Sequence, residues 1–171
     1  MFSGKTTKLV DIYNNLTCSG VSTDEILVIN HTIDTRTKHG VISTHDSITD
    51  VPCIHLDKLT DVIENTSLLT HKYILINEAQ FFNDLIEFVN GMDLLKKYIY
   101  VSGLNGDYKQ ETFGNIKDLL PIADNVTFLK GTCAICKGNS VFTKRIIESS
   151  AVTLVGSGEV YQPRCRKCLQ T

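Results

Sequence analysis

The sequence predicts an α/β fold, a parallel sheet with helices on both faces, joined to a small C-terminal module built on cysteines. Three observations carry that expectation. The run S-G-K-T, Ser3 to Thr6, stands directly before a segment of helical period. Short apolar runs then alternate with amphipathic stretches. Two C-x-x-C pairs follow after Pro121.

From Lys5 to about Ser19 the apolar residues Leu9, Ile12, Tyr13 and Leu16 recur at helical spacing, and Gly20 follows as a stop. Glu25 to Asn30 (E-I-L-V-I-N), Tyr73 to Asn77 (Y-I-L-I-N) and Tyr98 to Leu104 (Y-I-Y-V-S-G-L) are apolar on both faces, as strands buried in a parallel sheet are. Helices are predicted between them, over Asp57 to Glu64 and over Asn83 to Lys97. The second carries Leu85, Ile86, Val89, Met92 and Leu95, with Lys96 and Lys97 in its last turn. Such alternation implies right-handed crossovers. Residues 31–50 are polar and rich in Thr, Ser, His and Asp, which predicts a long mobile loop rather than core. After Pro121 short β-like segments are predicted at Asn125 to Leu129, Ser140 to Thr143 and Val152 to Val155, with Gly156 to Pro163 as a loop pinned at one end by the second cysteine pair. The expected division is a nucleotide-binding domain over 1–124 and a cysteine module over 125–171.

Composition narrows the class. The 171 residues suit one domain with a small appendage, and 42% apolar with 21% charged residues is ordinary for a soluble globular chain. No apolar run approaches the roughly 18 residues of a membrane span, and Lys5 and Lys8 lead into an amphipathic segment unlike a signal peptide. The expected location is cytoplasmic. A net charge of −2 gives no general attraction for nucleic acid or an anionic membrane, so neither is an expected partner. The basic cluster Lys144, Arg145, Arg164, Arg166 and Lys167 reads as a solvated face. Isolated Cys18 and Cys53 read as small core residues, and His39, His45, His55 and His71 as surface or satisfied core histidines.

Four cysteines fall in pairs, Cys133 and Cys136 in C-A-I-C and Cys165 and Cys168 in C-R-K-C. A two-residue gap lets both thiolates of a pair reach one tetrahedral ion, so without secretory features the pattern favours a structural Zn2+ ribbon over disulfides or a redox dithiol. The 28 residues between the pairs, 137 to 164, make a long insert.

S-G-K-T is the second half of a phosphate-binding loop (P-loop), in which backbone N–H groups at a helix N-terminus face the anion. Gly4 permits close approach, Lys5 reaches phosphates and the Thr6 hydroxyl ligates Mg2+. The leading glycine of the full pattern falls upstream of Met1, so the sequence predicts either a trimmed start or a broken loop. I-L-I-N-E-A-Q-F-F, residues 74 to 82, ends a buried strand in Asn77 and Glu78. An acid at the carboxyl end of a central strand faces the crevice where open α/β sheets bind ligands, which makes Glu78 a candidate general base. Asn77 stands where P-loop proteins commonly place a metal-holding Asp. In D-T-R, Asp34 to Arg36, the arginine suits charge stabilisation on a transferring phosphoryl group; read alone, the segment is a solvated loop.

In order along the chain, M-F-S-G-K-T-T, D-T-R, T-H-D, N-E-A-Q-F-F, S-G-L-N-G-D-Y, F-G, C-A-I-C, T-K-R, V-Y and C-R-K-C resemble the type II, zinc-containing thymidine kinases of animals, bacteria and large DNA viruses. The resemblance implies transfer of the ATP γ-phosphate to the 5′-hydroxyl of thymidine, in a P-loop domain joined to a zinc ribbon whose insert closes as a lasso over the nucleoside. It implies that Met1, Phe2 and Ser3 to Thr7 hold ATP and Mg2+ with Asn77 and Gln80. Asp34 and Arg36 would then act near the transferring group and Glu78 as base. Phe81, Leu104, Tyr108 and Phe113 would pocket the thymine, with Val152, Thr153, Leu154, Val155 and Gly156 offering backbone hydrogen bonds and Tyr161 closing the lid. It further implies a homotetramer, and a host-cytoplasmic location for a viral member. Asn77 for Asp, Asn105 for Asp and Tyr108 for Phe depart from the family pattern. A catalytically silent relative and a zinc-ribbon nucleic-acid binder are the competing expectations.

Overall fold

Strands apolar on both faces are stable only between two layers, and the chain supplies one layer on each side. The computed structural model describes residues 1–35, 40–43, 50–148, 154, 156 and 158–170. Helix α1 (Lys5–Cys18) leads into β1 (Ile26–His31). A hairpin of β2 (Val41–Ser43) and β3 (Asp50–Pro52) runs on to β4 (Ile54–Leu56). Then follow α2 (Thr60–Glu64), β5 (Tyr73–Ile76), α3 (Leu85–Leu94) and β6 (Tyr98–Val101). The sheet order is β4-β1-β5-β6, with every neighbouring pair parallel.

Alternation along the strands assigns the two faces. Ile26, Val28 and Leu75 pack with Leu9 and Val10 of α1, while Leu27, Ile29, Ile74 and Ile76 pack with Val62 of α2 and Leu85, Phe88 and Met92 of α3. Each such side chain contributes about 1.5–3 kcal/mol by leaving water. Ile29 pairs with Ile76, so the next residues, Asn30 and Asn77, emerge side by side at the carboxyl edge.

The polar stretch 31–50 is not simply a loop. Its described parts include the β2–β3 hairpin, in which Ile42 and Val51 are fully buried against the α1 face. Two apolar residues among many polar ones were enough to anchor it, since burial acts on individual side chains. The edge strand β4, only three residues long, had no sequence signal. Both later helices are shorter than their periodicity suggests, and Leu94 and Leu95 are exposed. Cys18 is exposed rather than core, because it ends α1 on the side away from the sheet residues; Cys53 is half-buried beside the α1-side core.

In the cysteine module β7 (Gly131–Thr132) pairs with β8 (Asn139–Ser140), and β9 (Phe142–Arg145) pairs with β10 (Tyr161–Arg164), both antiparallel. Asn125 to Leu129 is irregular, not a strand, with Phe128 exposed and no partner strand beside it among the described residues. Tyr161 to Pro163, expected within a loop, lies in β10 because its backbone pairs with β9. Of Val152 to Val155 only Leu154 is described. Arg145 and Arg164 are buried, at 9% and 6% exposure, so the basic cluster is not wholly a solvated face. The chain's first residues lie against the module: the Met1 amine donates to Thr143 Oγ1 (2.7 Å), and a Cβ on Gly131 would come 2.6 Å from the Phe2 carbonyl oxygen.

Candidate active site

At the start of α1, Gly4 holds φ at +76°, a left-handed conformation that only glycine takes without strain. It turns the backbone so that Lys5 begins the helix, and a Cβ there would meet nothing within 4 Å, leaving open space above the loop. The first turn's N–H groups have no intrahelical acceptor and sit at the positive end of the helix dipole. That is the arrangement an oxyanion needs. Ser3, Lys5 and Thr6 are half-buried around it and Thr7 is exposed. Burial lowers the Met1 amine pKa to about 5, with Lys5 adding to the effect and Glu78 opposing it.

At the carboxyl edge of the sheet a chain of buried polar groups replaces the apolar strands. Asn77 Nδ2 donates to Asn30 Oδ1 (3.1 Å), and Asn30 Nδ2 lies 3.3 Å from Asp34 Oδ2 and 3.4 Å from His55 Nε2. Asn30 is fully buried, Asn77 2% and Asp34 5% exposed, so these bonds replace water outright. Next to Asn77, Glu78 sits at φ +50°, an uncommon conformation for a side-chain-bearing residue. Two clamps hold that turn. Gln80 Nε2 donates to Glu78 Oε2 (2.6 Å) while Gln80 Oε1 accepts from the Leu104 N–H (2.9 Å), and the Ala79 N–H bonds the Ser102 carbonyl (3.0 Å). Gly103 and Gly114 press on Gln80: a Cβ on Gly103 would lie 2.9 Å from Gln80 Oε1, and one on Gly114 would collide with the Gln80 carbonyl.

Beyond the acid lies an aromatic group. Phe81 meets Phe113 edge-on, with ring centroids 5.5 Å apart and an 89° interplanar angle. His31 packs on Phe82 at 4.6 Å and on Phe81 at 5.5 Å, and its Nδ1 accepts from the Ile33 N–H (3.0 Å). Burial holds the His31 pKa below its ordinary 6.5, against the opposing pull of Asp57 and Asp84. Tyr108 is half-buried with its ring 3.8 Å from the Arg145 guanidinium carbon. Tyr161 is 7% exposed and its hydroxyl donates to the Leu154 carbonyl (3.0 Å). Arg36, Val152, Thr153 and Val155 lie outside the described residues; Gly156 is half-buried.

The four paired cysteines converge. Cys133, Cys136, Cys165 and Cys168 have sulfur atoms all within 4.8 Å of one another, and Cys136 Sγ to Cys165 Sγ is 3.6 Å. Tetrahedral zinc with Zn–S bonds of about 2.3 Å has sulfur–sulfur edges of about 3.8 Å, so this donor set fits the ion. Backbone N–H groups, chiefly that of Cys136, hold the Cys133 thiol down to about 6, whereas the neighbouring Cys165 thiol and burial push Cys168 up to about 12. Four thiols cannot all ionise so close together unless a cation neutralises them.

Asn30, His31 and Arg145 contact candidate site residues, Asn77, Phe81 and Tyr108 respectively, a placement that the sequence reading missed. A signal existed for the first. Ile29-Asn30 and Ile76-Asn77 are matching I-N steps at the carboxyl ends of two paired apolar runs, and matching polar residues there mark the edge where a parallel sheet binds ligands.

A phosphate-type loop at a helix N-terminus, an acid at the carboxyl edge of a parallel sheet and a four-thiol cluster describe a P-loop α/β protein with a ribbon whose four cysteines could hold a metal ion. Comparison narrows that class. The thymidine kinase family model matches residues 1–169, and the chain belongs to that family. It is 34% identical over 170 residues to the thymidine kinase of rabbit fibroma virus (strain Kasza), covering 98% of this chain and 90% of that one. Identity to the thymidine kinase of Yaba monkey tumor virus (strain VR587) is 36% over 168 residues, covering 98% and 89%. Thymidine kinase a of Arabidopsis thaliana is 37% identical over 171 residues, covering 98% of this chain and 70% of that one. Family membership makes the protein a kinase, a phosphotransferase. No helix among the described residues is long and apolar enough to cross a membrane.

Proposed function

We propose that this chain transfers the γ-phosphate of ATP to the 5′-hydroxyl of thymidine, giving dTMP for DNA synthesis. Beside family membership, the observation that carries the reading is Glu78, fixed by Gln80 in the turn at the carboxyl edge of β5.

In this reading the N–H groups after Gly4 and the Lys5 ammonium bind the β- and γ-phosphates. Glu78 accepts the proton as the 5′-oxygen attacks the γ-phosphorus, and ADP departs with the bridging oxygen. Fixing the acid's orientation in advance is Gln80's part, since its amide holds Glu78 Oε2. Phe81, Leu104, Tyr108 and Phe113 supply apolar surface for thymine, and the lasso backbone around Leu154 and Gly156 reads its edge. Asp34 orders the loop leading to Arg36, which neutralises developing phosphoryl charge. Mg2+, held by the Thr6 hydroxyl and through water by Asn77, would supply charge neutralisation between the phosphates. Zinc on the four cysteines is structural, because four thiolates leave no open position. Residues 1–124 then form the phosphate-donor domain and 125–171 the nucleoside-closing module, in an assembly of four copies.

The test is transfer of label from radioactive ATP to thymidine, with Glu78→Gln as the matched control. Label in dTMP that drops by at least about 100-fold in the variant supports Glu78 as base. Label at equal rates in both would remove Glu78 from the reaction, and no label in the intact protein would leave the silent relative as the correct reading.

A further inference from the structure

Arg145 stands at the end of β9 directly opposite Tyr161 of β10. Its Nη2 donates to the Tyr161 hydroxyl (2.8 Å), and that hydroxyl in turn donates to the Leu154 carbonyl (3.0 Å). On its other side the guanidinium lies 3.8 Å from the Tyr108 ring centroid, while the Tyr161 ring is 5.3 Å away. Arg145 is 9% and Tyr161 7% exposed, so these contacts work with little competition from water. One side chain therefore joins three parts of the molecule: the loop after β6 that carries Tyr108, the ribbon strand that carries Tyr161, and the insert at Leu154.

We propose that Arg145 is a positioning residue, a latch that holds Tyr161 and the Leu154 carbonyl in register with Tyr108. The inference rests on the thymidine kinase reading for its catalytic consequence, but the latch is a physical claim of its own. A guanidinium is needed because it can stack flat on one ring while its edge donates to the other residue's hydroxyl, whereas a lysine ammonium is a point donor that cannot do both. Arg145 also gives the phenol of Tyr108 a purpose. An electron-rich phenol is a better face for a cation than an aliphatic group would be, so the pocket residue is itself held by the arginine.

Two measurements on the full chain, with zinc content confirmed in each variant, separate the latch from the activity. In hydrogen exchange without substrate, Arg145→Met should speed exchange by about tenfold or more in the peptide holding Leu154 and Tyr161, while peptides of β1 and β5 stay unchanged. Steady-state kinetics should show the thymidine KM raised by about tenfold, as for loss of one charge-assisted hydrogen bond, with the ATP KM and kcat within about twofold. Arg145→Lys should recover less than half of either effect. Tyr161→Phe combined with Arg145→Met should cost less than the sum of the two single changes, because both remove the Arg145–Tyr161 bond while only Tyr161→Phe also removes the bond to Leu154. Unchanged exchange at Leu154 and Tyr161 would overturn the latch whatever the enzyme does. Faster exchange in a protein whose unmutated form makes no dTMP would uphold the latch and fail the kinase reading. A kcat loss with the thymidine KM unchanged would overturn positioning in favour of a direct chemical role.

Discussion

Asn77 gives its amide hydrogen to Asn30, and Asn30 gives its own to Asp34, so one buried carboxylate is held by a relay of neutral donors. A second carboxylate at position 77 would break that relay and set a charge near Asp34. Asn77→Asp should therefore cost about 1–3 kcal/mol of stability, read from chemical denaturation, as a buried pair loses its donor. It should also lower the Mg2+ concentration needed for half-maximal activity, since a carboxylate binds that ion better than an amide does. Stability loss without the Mg2+ change would separate Asn77 from the metal. His31 makes a different prediction. Its pKa is lowered in the fold by burial, so the unfolded chain binds more protons as pH falls below about 6.5, and folded stability must fall with it. The sign is fixed: the contribution is present above 6.5 and lost on acidification. His31→Phe keeps a ring against Phe81 and Phe82 and should show a smaller drop in Tm between pH 7 and pH 5 than the unmutated chain. An equal drop would assign the acid sensitivity to other groups.

Elements here are held at their ends as much as through their interiors. β5 and β6 pair over four residues, yet the turn after β5 is locked by Gln80, which reaches Glu78 on one side and Leu104 on the other. Gly114 lets the later loop close onto the Gln80 backbone at φ +58°, where an L side chain is strained as well as blocked. Gly114→Ala should destabilise by about 1–3 kcal/mol, as overpacking does, and should lower kcat because Glu78 shifts with Gln80. Denaturation and kinetics on the same sample check both effects; an active, unshifted variant would show that the turn tolerates the extra carbon. The hairpin of β2 and β3 illustrates the converse, a segment of polar composition anchored by the buried side chains of Ile42 and Val51.

Across the whole molecule the cysteine cluster holds together β7, β8 and the end of β10, while Met1 and Phe2 lie against Thr143 and Gly131. Chelating the metal should lower Tm and raise the thymidine KM more than the ATP KM, because the ribbon carries Tyr161 whereas the phosphate loop belongs to α1. Equal effects on both substrates would mean the ribbon supports the entire fold. Zinc binding should also weaken as pH falls, because protons compete with the ion for the thiolates. Much of this organisation was legible in the residues themselves. The helix after S-G-K-T, the three longest strands of the sheet, the acid after I-L-I-N and the two cysteine pairs are local patterns, set by periodicity and by spacings of a few residues. Glu78 and the four cysteines could thus be named before any contact was known. The register of β1 against β5, which makes Asn30 and Asn77 neighbours, depends on residues 47 positions apart. Arg145 against Tyr108, and Gly114 against Gln80, are likewise long-range contacts between short irregular segments. Sequence by itself determined the class of fold and the chemistry available; only the tertiary structure decided which polar groups share a hydrogen bond, which glycines press on Gln80 and which arginines are buried, because those follow from chain paths that no local period encodes.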